Sequence, residues 1–214
     1  MSRWRCAAFA AWLALALAPG ASAAEATSGR AFTLRVTSPD ASASRAAALA
    51  PRQLRLPAGP GGPELVIDVT PDAASPETWD RDHEVGTVTV TRAGASAPLQ
   101  TIRVRSRTDA AWFAPNCALV DVNFDGHPDL VTLAEQGASW GRWNVRLWRP
   151  SLGRFVRTPL SRDFSRLRAA SLTFDAPTRT VTAKQLAAGL DRTYVVRGRS
   201  LRRTSAVRVT PSGE

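Results

Sequence analysis

Hydrophobic and polar residues alternate with a period of two along most of the chain after residue 30. The stretch AFTLRVTS at 31–38 places Phe32, Leu34 and Val36 on one side, and GTVTVTR and QTIRVRSR alternate in the same way. This period is typical of β-strands that bury one face. Further strands of similar length are marked by ELVIDV, CALVDV, LVTLAE and several C-terminal stretches. The pattern predicts roughly ten short antiparallel strands.

Turn-forming residues separate these strands into hairpins. AGASAPL lies between two alternating stretches, and SLG lies between RWNVRLWRP and GRFVRTPL. Helix signals are few, because only SRAAALAPRQL and PLSRDFSRLRAA could form one or two helical turns. We therefore predict an all-β fold in which antiparallel hairpins form a sandwich, a barrel or a propeller-like sheet stack. No internal sequence repeat is clear enough to indicate a number of propeller blades.

The N-terminus has the features of a secretory signal peptide. Arg3 and Arg5 precede an apolar run at 6–18, and small residues at 21–23 fit a cleavage site. We predict a signal peptide at 1–23, cleavage near Ala23, and a location in the periplasm or outside the cell. A membrane anchor is the alternative, but the run is shorter than the ~20 residues that a spanning helix requires. No later segment is long and apolar enough, so we expect no membrane span.

The remaining chain divides into two parts by composition. Residues 24–62 are rich in Ala, Pro and Ser, and we expect this N-terminal segment to be partly ordered. Residues 63–210 carry the tighter alternation and form the predicted β domain. Cys117 is the only cysteine beyond the signal peptide, so no internal disulfide is possible. An exported protein without disulfides needs another source of stability, and a bound metal is one.

The charge is basic, with a formal net charge of +10, and Lys184 is the only lysine. The arginines are spread along the strands, which is typical of solvated strand faces. The densest basic stretch is RSLRRTSAVR, near the C-terminus. Export argues against a nucleic-acid partner, whereas an anionic envelope surface or an acidic protein remains compatible with this charge.

One acidic stretch, DVNFDGHPDL at 121–130, stands out in this basic chain. Its spacing matches a calcium loop of EF-hand type, with oxygen donors at alternate positions and a glycine at the sixth. The predicted Ca²⁺ ligands are Asp121, Asn123, Asp125, the carbonyl of His127, and Asp129. The loop differs from an EF-hand in two ways: strands flank it in place of helices, and Thr132 stands at the position of the bidentate Glu. Because a bidentate ligand is lost, we expect weak Ca²⁺ binding, with a dissociation constant of about 10⁻⁴–10⁻³ M. The alternative is an Asx-rich hairpin turn without metal.

The loop and the strands after it resemble a known family. Loops of the form D-x-N-x-D-G-x-x-D-L occur in β-hairpins of FG-GAP and VCBS-type proteins. The order of GRWNVRLWRPSLGRFVRTPLSRDFSRL, LTFDAPTRTVTA and RTYVVRGRSLRRTSAVRV is similar to a bacterial periplasmic family with a single such loop. That family includes an immunity protein that inhibits a peptidoglycan hydrolase delivered by a type IV secretion system. The resemblance covers residues 117–209 and implies a β fold that binds calcium. It does not identify any residue of this chain as a contact with an inhibited hydrolase.

Three other motifs are candidate sites. Trp140 and Trp143, with Trp148 nearby, could pack in the core, stack on a sugar ring, or contact a protein partner. WDRDHE at 79–84 is a solvated loop or a contact for a basic hydrolase, since its adjacent acids do not form a glycosidase pair. GASWG at 137–141 matches a nucleophile-elbow string, but the stretch after it alternates like a strand where that motif needs a helix.

Taken together, these features predict an exported, calcium-stabilised binding protein with no catalytic activity. The first hypothesis is a periplasmic inhibitor or immunity protein whose partner is a cell-wall hydrolase. The alternative is an envelope module that binds glycan or peptidoglycan. Acid–base pairs, a catalytic triad and a catalytic metal set are all missing from the sequence patterns, which favours binding over catalysis.

Overall fold

The computed structural model describes residues 31–39, 44–59, 61–78, 80–185 and 189–208. The predicted signal peptide and Trp79 lie outside the described residues. The described strands are β1 (Phe32–Arg35), β2 (Arg52–Pro57), β3 (Glu64–Pro71), β4 (His83–Arg92), β5 (Gln100–Ser106), β6 (Cys117–Val120), β7 (Asp129–Gln136), β8 (Gly141–Arg149), β9 (Arg154–Val156), β10 (Ser171–Asp175), β11 (Thr180–Gln185), β12 (Leu190–Arg197) and β13 (Ser200–Arg208). The helices are α1 (Arg45–Ala48), α2 (Pro159–Phe164) and single 3-10 turns at Ala110–Trp112, Ala114–Asn116 and Pro150–Leu152.

Three antiparallel sheets follow one another along the chain. The first sheet has the order β2-β3-β4-β5, the middle sheet β6-β7-β8-β9, and the last sheet β10-β11-β12-β13. β1 adds to the last sheet by pairing with β10, so that Phe32 stands opposite Phe174. Each sheet is otherwise a simple meander of neighbouring strands. This connectivity agrees with the hairpins that the sequence predicts.

The three sheets stack face to face, with the middle sheet buried on both sides. One core lies between the first and middle sheets, where Ile67 and Val88 pack near Leu130 and Trp148. The other core lies between the middle and last sheets and contains Val131, Trp143, Val145, Leu172 and Val181. Because β7 faces both cores, its first five residues are all buried. The predicted all-β fold of antiparallel hairpins is confirmed, as three sheets packed together like a sandwich.

A short helix closes one end of the second core. Thr158 caps α2, and the Thr158 and Ser161 side chains each accept a hydrogen bond from the other's backbone N–H. This capping box satisfies two amide groups that the helix leaves without an internal partner. Leu160 and Phe164 are fully buried on the inner side of the helix, and the Phe164 ring lies 5.9 Å from the ring of Phe174.

The segment before residue 62 contributes edge strands to the fold. β2 pairs with β3 along its whole length, and Leu54 and Leu56 pack against the first core. A boundary at 62/63 falls inside this hairpin, so β2 belongs with the β domain. β1 buries Leu34 in the second core while Phe32 and Val36 pack against it, on the side that the alternation predicts. None of the described helices has the length and apolar character that a bilayer crossing requires.

Candidate metal centre

The acidic loop connects β6 to β7 at the edge of the middle sheet. The last paired residues before it are Val120 and Asp129, which face each other across the hairpin. Phe124 and Gly126 adopt left-handed backbone angles, with φ of 58° and 84°. Only glycine enters this region without a steric cost, so Phe124 depends on the surrounding contacts to hold it there. These two residues bend the chain into a tight curl.

The curl turns alternate side chains towards its own amide groups. Asp121 accepts hydrogen bonds from the backbone N–H groups of Asp125 at 3.0 Å and Gly126 at 2.8 Å. Asn123 Oδ1 accepts from the Asp125 N–H at 3.1 Å, and Asp125 Oδ1 accepts from the His127 N–H at 3.0 Å. The Asn123 amide also donates to Asp125 Oδ2 at 2.7 Å. The loop is therefore an Asx-rich turn in this conformation.

Asp129 is the buried member of the set. Its side chain is fully enclosed, and its two oxygens accept the N–H groups of Val122 at 3.1 Å and Trp148 at 2.8 Å. Burial raises the pKa of this carboxyl to about 8, although the two N–H bonds act in the opposite direction. The negative charges of Asp125 and Asp121 raise it further. Asp129 therefore retains its proton more readily than an ordinary carboxyl group, because burial and the nearby acids both disfavour its ionised form.

The pKa of the Asp121 carboxyl group is also raised. Burial is the main cause that raises its pKa, and the charge of Asp125 adds to the rise. None of the ion pairs formed by the described residues involves Asp121, Asp125 or Asp129. A cation at the loop would neutralise these like charges and favour their ionised forms.

The donor set fits Ca²⁺ in its chemistry. Calcium prefers six to eight hard oxygen ligands, and carboxylate, amide and carbonyl oxygens are all available in the loop. Within the part of the chain that the structure describes, no three His, Cys, Asp or Glu side chains stand close enough to share one ion. The oxygens that would bind calcium are bonded to loop amides, so side-chain rotations would have to accompany binding.

The imidazole of His127 points away from the loop. Its Nδ1 lies 2.7 Å from the carbonyl oxygen of Ala58, in the turn between β2 and β3. A Cβ placed on Gly59 would lie only 1.9 Å from this nitrogen, so the ring packs directly on a glycine with φ of 135°. The side chain thus joins the loop to the first sheet, and only the carbonyl of His127 remains a candidate ligand.

Arg179 joins the loop to the last sheet. Its guanidinium donates to the carbonyl oxygens of Asn123 at 3.1 Å and Phe124 at 3.3 Å, and lies 5.9 Å from the centre of the Phe124 ring. Arg179 sits in the turn between β10 and β11 with a φ of 53°. Sequence reasoning did not single out this residue, because nothing in DAPTRT marks one arginine as a partner for a distant loop. The loop therefore contacts all three sheets.

The two tryptophans proposed for partner binding differ in exposure. Trp143 has no exposed surface and packs in the second core, so its assignment as a partner contact is wrong. The alternation of β8 directs it inwards together with Val145. Trp140 is partly exposed, and the Arg168 guanidinium lies 4.6 Å from the centre of its ring. Only Trp140 remains available to a partner.

The described acids at 80–84 are held in ordinary surface contacts. Asp82 pairs with Arg107 at 3.3 Å, and Glu84 lies 3.8 Å from Arg103. The nearby ring of His83 is largely buried, with Nδ1 3.1 Å from the carbonyl oxygen of Arg81. Residues 137–140 link β7 to β8, and a strand begins at Gly141 where a nucleophile elbow requires a helix. Neither motif forms a catalytic arrangement in the described residues.

No protein-family model matches the chain, and no curated protein is significantly similar to it. The geometry of the loop and of the surfaces around it therefore carries the functional argument.

Proposed function

We propose that this chain is a calcium-stabilised binding protein of the bacterial cell envelope that inhibits a peptidoglycan hydrolase and has no catalytic activity of its own. The observation that carries the proposal is the acidic loop with Asp121, Asp125 and Asp129, which His127 and Arg179 connect to turns of the first and last sheets. Bound calcium would supply positive charge there. The family resemblance of this loop and of the strands after it supports the inhibitory role.

The position of the loop explains why a cation would matter for stability. His127 ties the loop to Ala58 in the first sheet, and Arg179 ties it to the last sheet. Neutralising the carboxylates would strengthen the curl that presents both contacts. A ligand that binds only the folded state stabilises it in proportion to its occupancy. Calcium would in this way take the place of the missing disulfides.

An inhibitory rather than a catalytic role agrees with the surface chemistry. The acids at 82 and 84 pair with arginines, so neither is an isolated carboxyl group in an apolar pocket, as an acid catalyst requires. Asp80 and Asp82 are exposed on the loop before β4. These charges could contact a basic hydrolase through electrostatic complementarity.

Calcium binding is tested first, by calorimetry and thermal unfolding in EDTA and in millimolar calcium. We expect a higher unfolding midpoint in calcium for the unmodified protein and no such rise for Asp125→Ala. Asp68→Ala is the matched control, because it removes the same charge from β3, outside the loop. A calcium effect that is absent in the unmodified protein, or retained in Asp125→Ala, would contradict the metal site.

Inhibition is tested by the clearing of a peptidoglycan suspension. The panel includes lysozyme-like enzymes and any secreted lytic enzyme encoded beside this chain. We expect the calcium-loaded protein to slow at least one of them in proportion to its concentration. Unchanged lytic rates across the panel would count against the inhibitor proposal, whatever the result for calcium.

A second function is favoured by Trp140. A partly exposed indole with an arginine above it can stack on a sugar ring and bond its hydroxyl groups. Under this alternative, the protein is an envelope module that sediments with purified sacculi when no hydrolase is present. Trp140→Ala should abolish sedimentation, whereas Leu152→Ala, an exposed apolar side chain elsewhere, should not. Equal sedimentation of both variants would remove this alternative.

A further inference from the structure

Two arginines stand side by side where β8 and β9 separate. The pairing of these strands runs from Arg149–Arg154 to Leu147–Val156, so the next residues along the two chains are Arg146 and Arg157. Arg146 is partly buried, whereas Arg157 is exposed. Burial, followed by the charge of Arg157, lowers the pKa of Arg146. Two like charges held together, one of them partly buried, destabilise each other unless an anion lies between them.

The protein supplies no such anion from its described residues. The arginines at 103, 107 and 142 all have carboxylate partners. No described ion pair or side-chain hydrogen bond involves the guanidinium groups of Arg146, Arg157 or Arg162. Asp163, next to Arg162 in sequence, directs its carboxylate to the backbone N–H of Leu201. The three arginines are therefore unneutralised.

A cavity of about 390 Å³, lined by Arg157 and Arg162 but not by Arg146, opens between α2 and the middle of β8. Its polar lining includes Asn144, Arg157, Thr158, Arg162 and Ser165, and no Asp or Glu contributes to it. This volume falls within the roughly 300–1,000 Å³ of small-molecule sites. A cavity with two guanidinium groups in its wall and no acid is suited to a negatively charged group.

We propose that this cavity is an oxyanion site, in which Arg157 and Arg162 bind a phosphate or carboxylate group and Arg146 adds a third positive charge. Guanidinium groups bind both oxyanions through paired N–H donors, which point charges such as lysine cannot reproduce. No residue of the acidic loop lines this cavity, and the proposed anion site does not rest on the proposed function.

The test titrates the full-length protein with inorganic phosphate, and separately with acetate, in a buffer without other multivalent anions. We expect saturable binding in calorimetry for at least one anion, weakening as chloride is added. Comparison of the two titrations distinguishes phosphate from carboxylate as the preferred group. Arg157→Gln should bind at least about tenfold more weakly, as expected for the loss of a hydrogen bond to a charged group.

Arg199→Gln provides the matched control, because it removes one exposed arginine from the turn between β12 and β13 and leaves the cavity intact. It should bind the anion as the unmodified protein does. Without anion, Arg157→Gln should unfold at the same or a higher temperature, since a repulsive neighbour is gone. The absence of saturable binding for both anions, or equal weakening in the two variants, would overturn the site.

Discussion

The buried carboxyl group of Asp129 accepts a hydrogen bond from the backbone N–H of Trp148 at 2.8 Å. Its second oxygen accepts the N–H of Val122 at 3.1 Å, at the start of the acidic loop. One side chain thus ties the loop to the neighbouring strand β8. The bonds of Asp129 connect the loop to β8, whereas those of Asp121 and Asp125 stay within the loop.

We expect Asp129→Ala to lower the free energy of unfolding by about 2–6 kcal/mol in EDTA. The substitution leaves two buried N–H groups without an acceptor, and each costs about 1–3 kcal/mol. Asp125→Ala, whose side chain is exposed, should cost much less under the same conditions. Urea unfolding monitored by tryptophan fluorescence gives both values. Similar losses of unfolding free energy for the two variants in EDTA would show that Asp129 stabilises the fold no more than the exposed Asp125 does.

Gly59→Ala should destabilise the fold by about 2–4 kcal/mol, because the new methyl group overlaps the His127 ring and the backbone angle is unfavourable. Gly61→Ala is the control: its φ is 69°, but nothing lies within 4 Å of the added methyl group. It should cost about 1 kcal/mol, from backbone strain alone.

The double variant Gly59→Ala/His127→Ala isolates the contact. Removal of the ring should recover part of the stability that Gly59→Ala loses, and chemical denaturation of all four proteins completes the cycle. Strictly additive losses would mean that the glycine is needed for a reason other than His127.

Arg179→Ala should cost about 1–2 kcal/mol, since the carbonyl groups of Asn123 and Phe124 lose their charged donor. Arg179→Gly also removes the side chain, but glycine suits the left-handed backbone, so this variant should be about 1 kcal/mol more stable than the alanine variant. Hydrogen exchange of the amides at 124–127 should speed up equally in both. Unchanged exchange would show that Arg179 does not hold the loop.

Cys117 should resist alkylation in the folded protein. Burial raises the pKa of its thiol to about 12, so the reactive thiolate is scarce at pH 8. In a Cys6→Ser background, iodoacetamide should label Cys117 slowly in buffer and rapidly in concentrated urea, as followed by mass spectrometry. Because the folded pKa lies above the unfolded value, the stability that the protonated thiol contributes is lost as pH rises above about 9.

The strands could be predicted because their signals are local. The alternation in β4 and β5 and the turn between them identify a hairpin without knowledge of the rest of the chain. In β8 the alternation puts Trp143, Val145 and Leu147 on one face and Arg142, Asn144 and Arg146 on the other. The apolar face is the buried one, so the same local signal places Trp143 in the core. Its assignment as a partner contact was wrong because the alternation already favoured burial.

The contacts of the acidic loop lie beyond local patterns. The partner of His127 is 69 residues away, and Arg179 is 55 and 56 residues from the carbonyl groups that it binds. Spacing within DVNFDGHPDL predicts a tight turn with alternating oxygen side chains, because alternation and glycine placement are local features of the sequence. It cannot reveal which distant turn packs against them, since that depends on how the three sheets stack.

The pairing of β1 with β10 also determines when the fold can close. The hydroxyl groups of Thr33 and Thr173 meet at 3.0 Å although 140 residues separate them. A chain emerging from its N-terminus must leave β1 without a partner until the last sheet has appeared, and such distant pairings form slowly. Before β1 pairs with it, β10 exposes an unpaired edge that other chains could extend. Loss of β1 would make that edge permanent, so a truncated chain should aggregate before it loses its other two sheets.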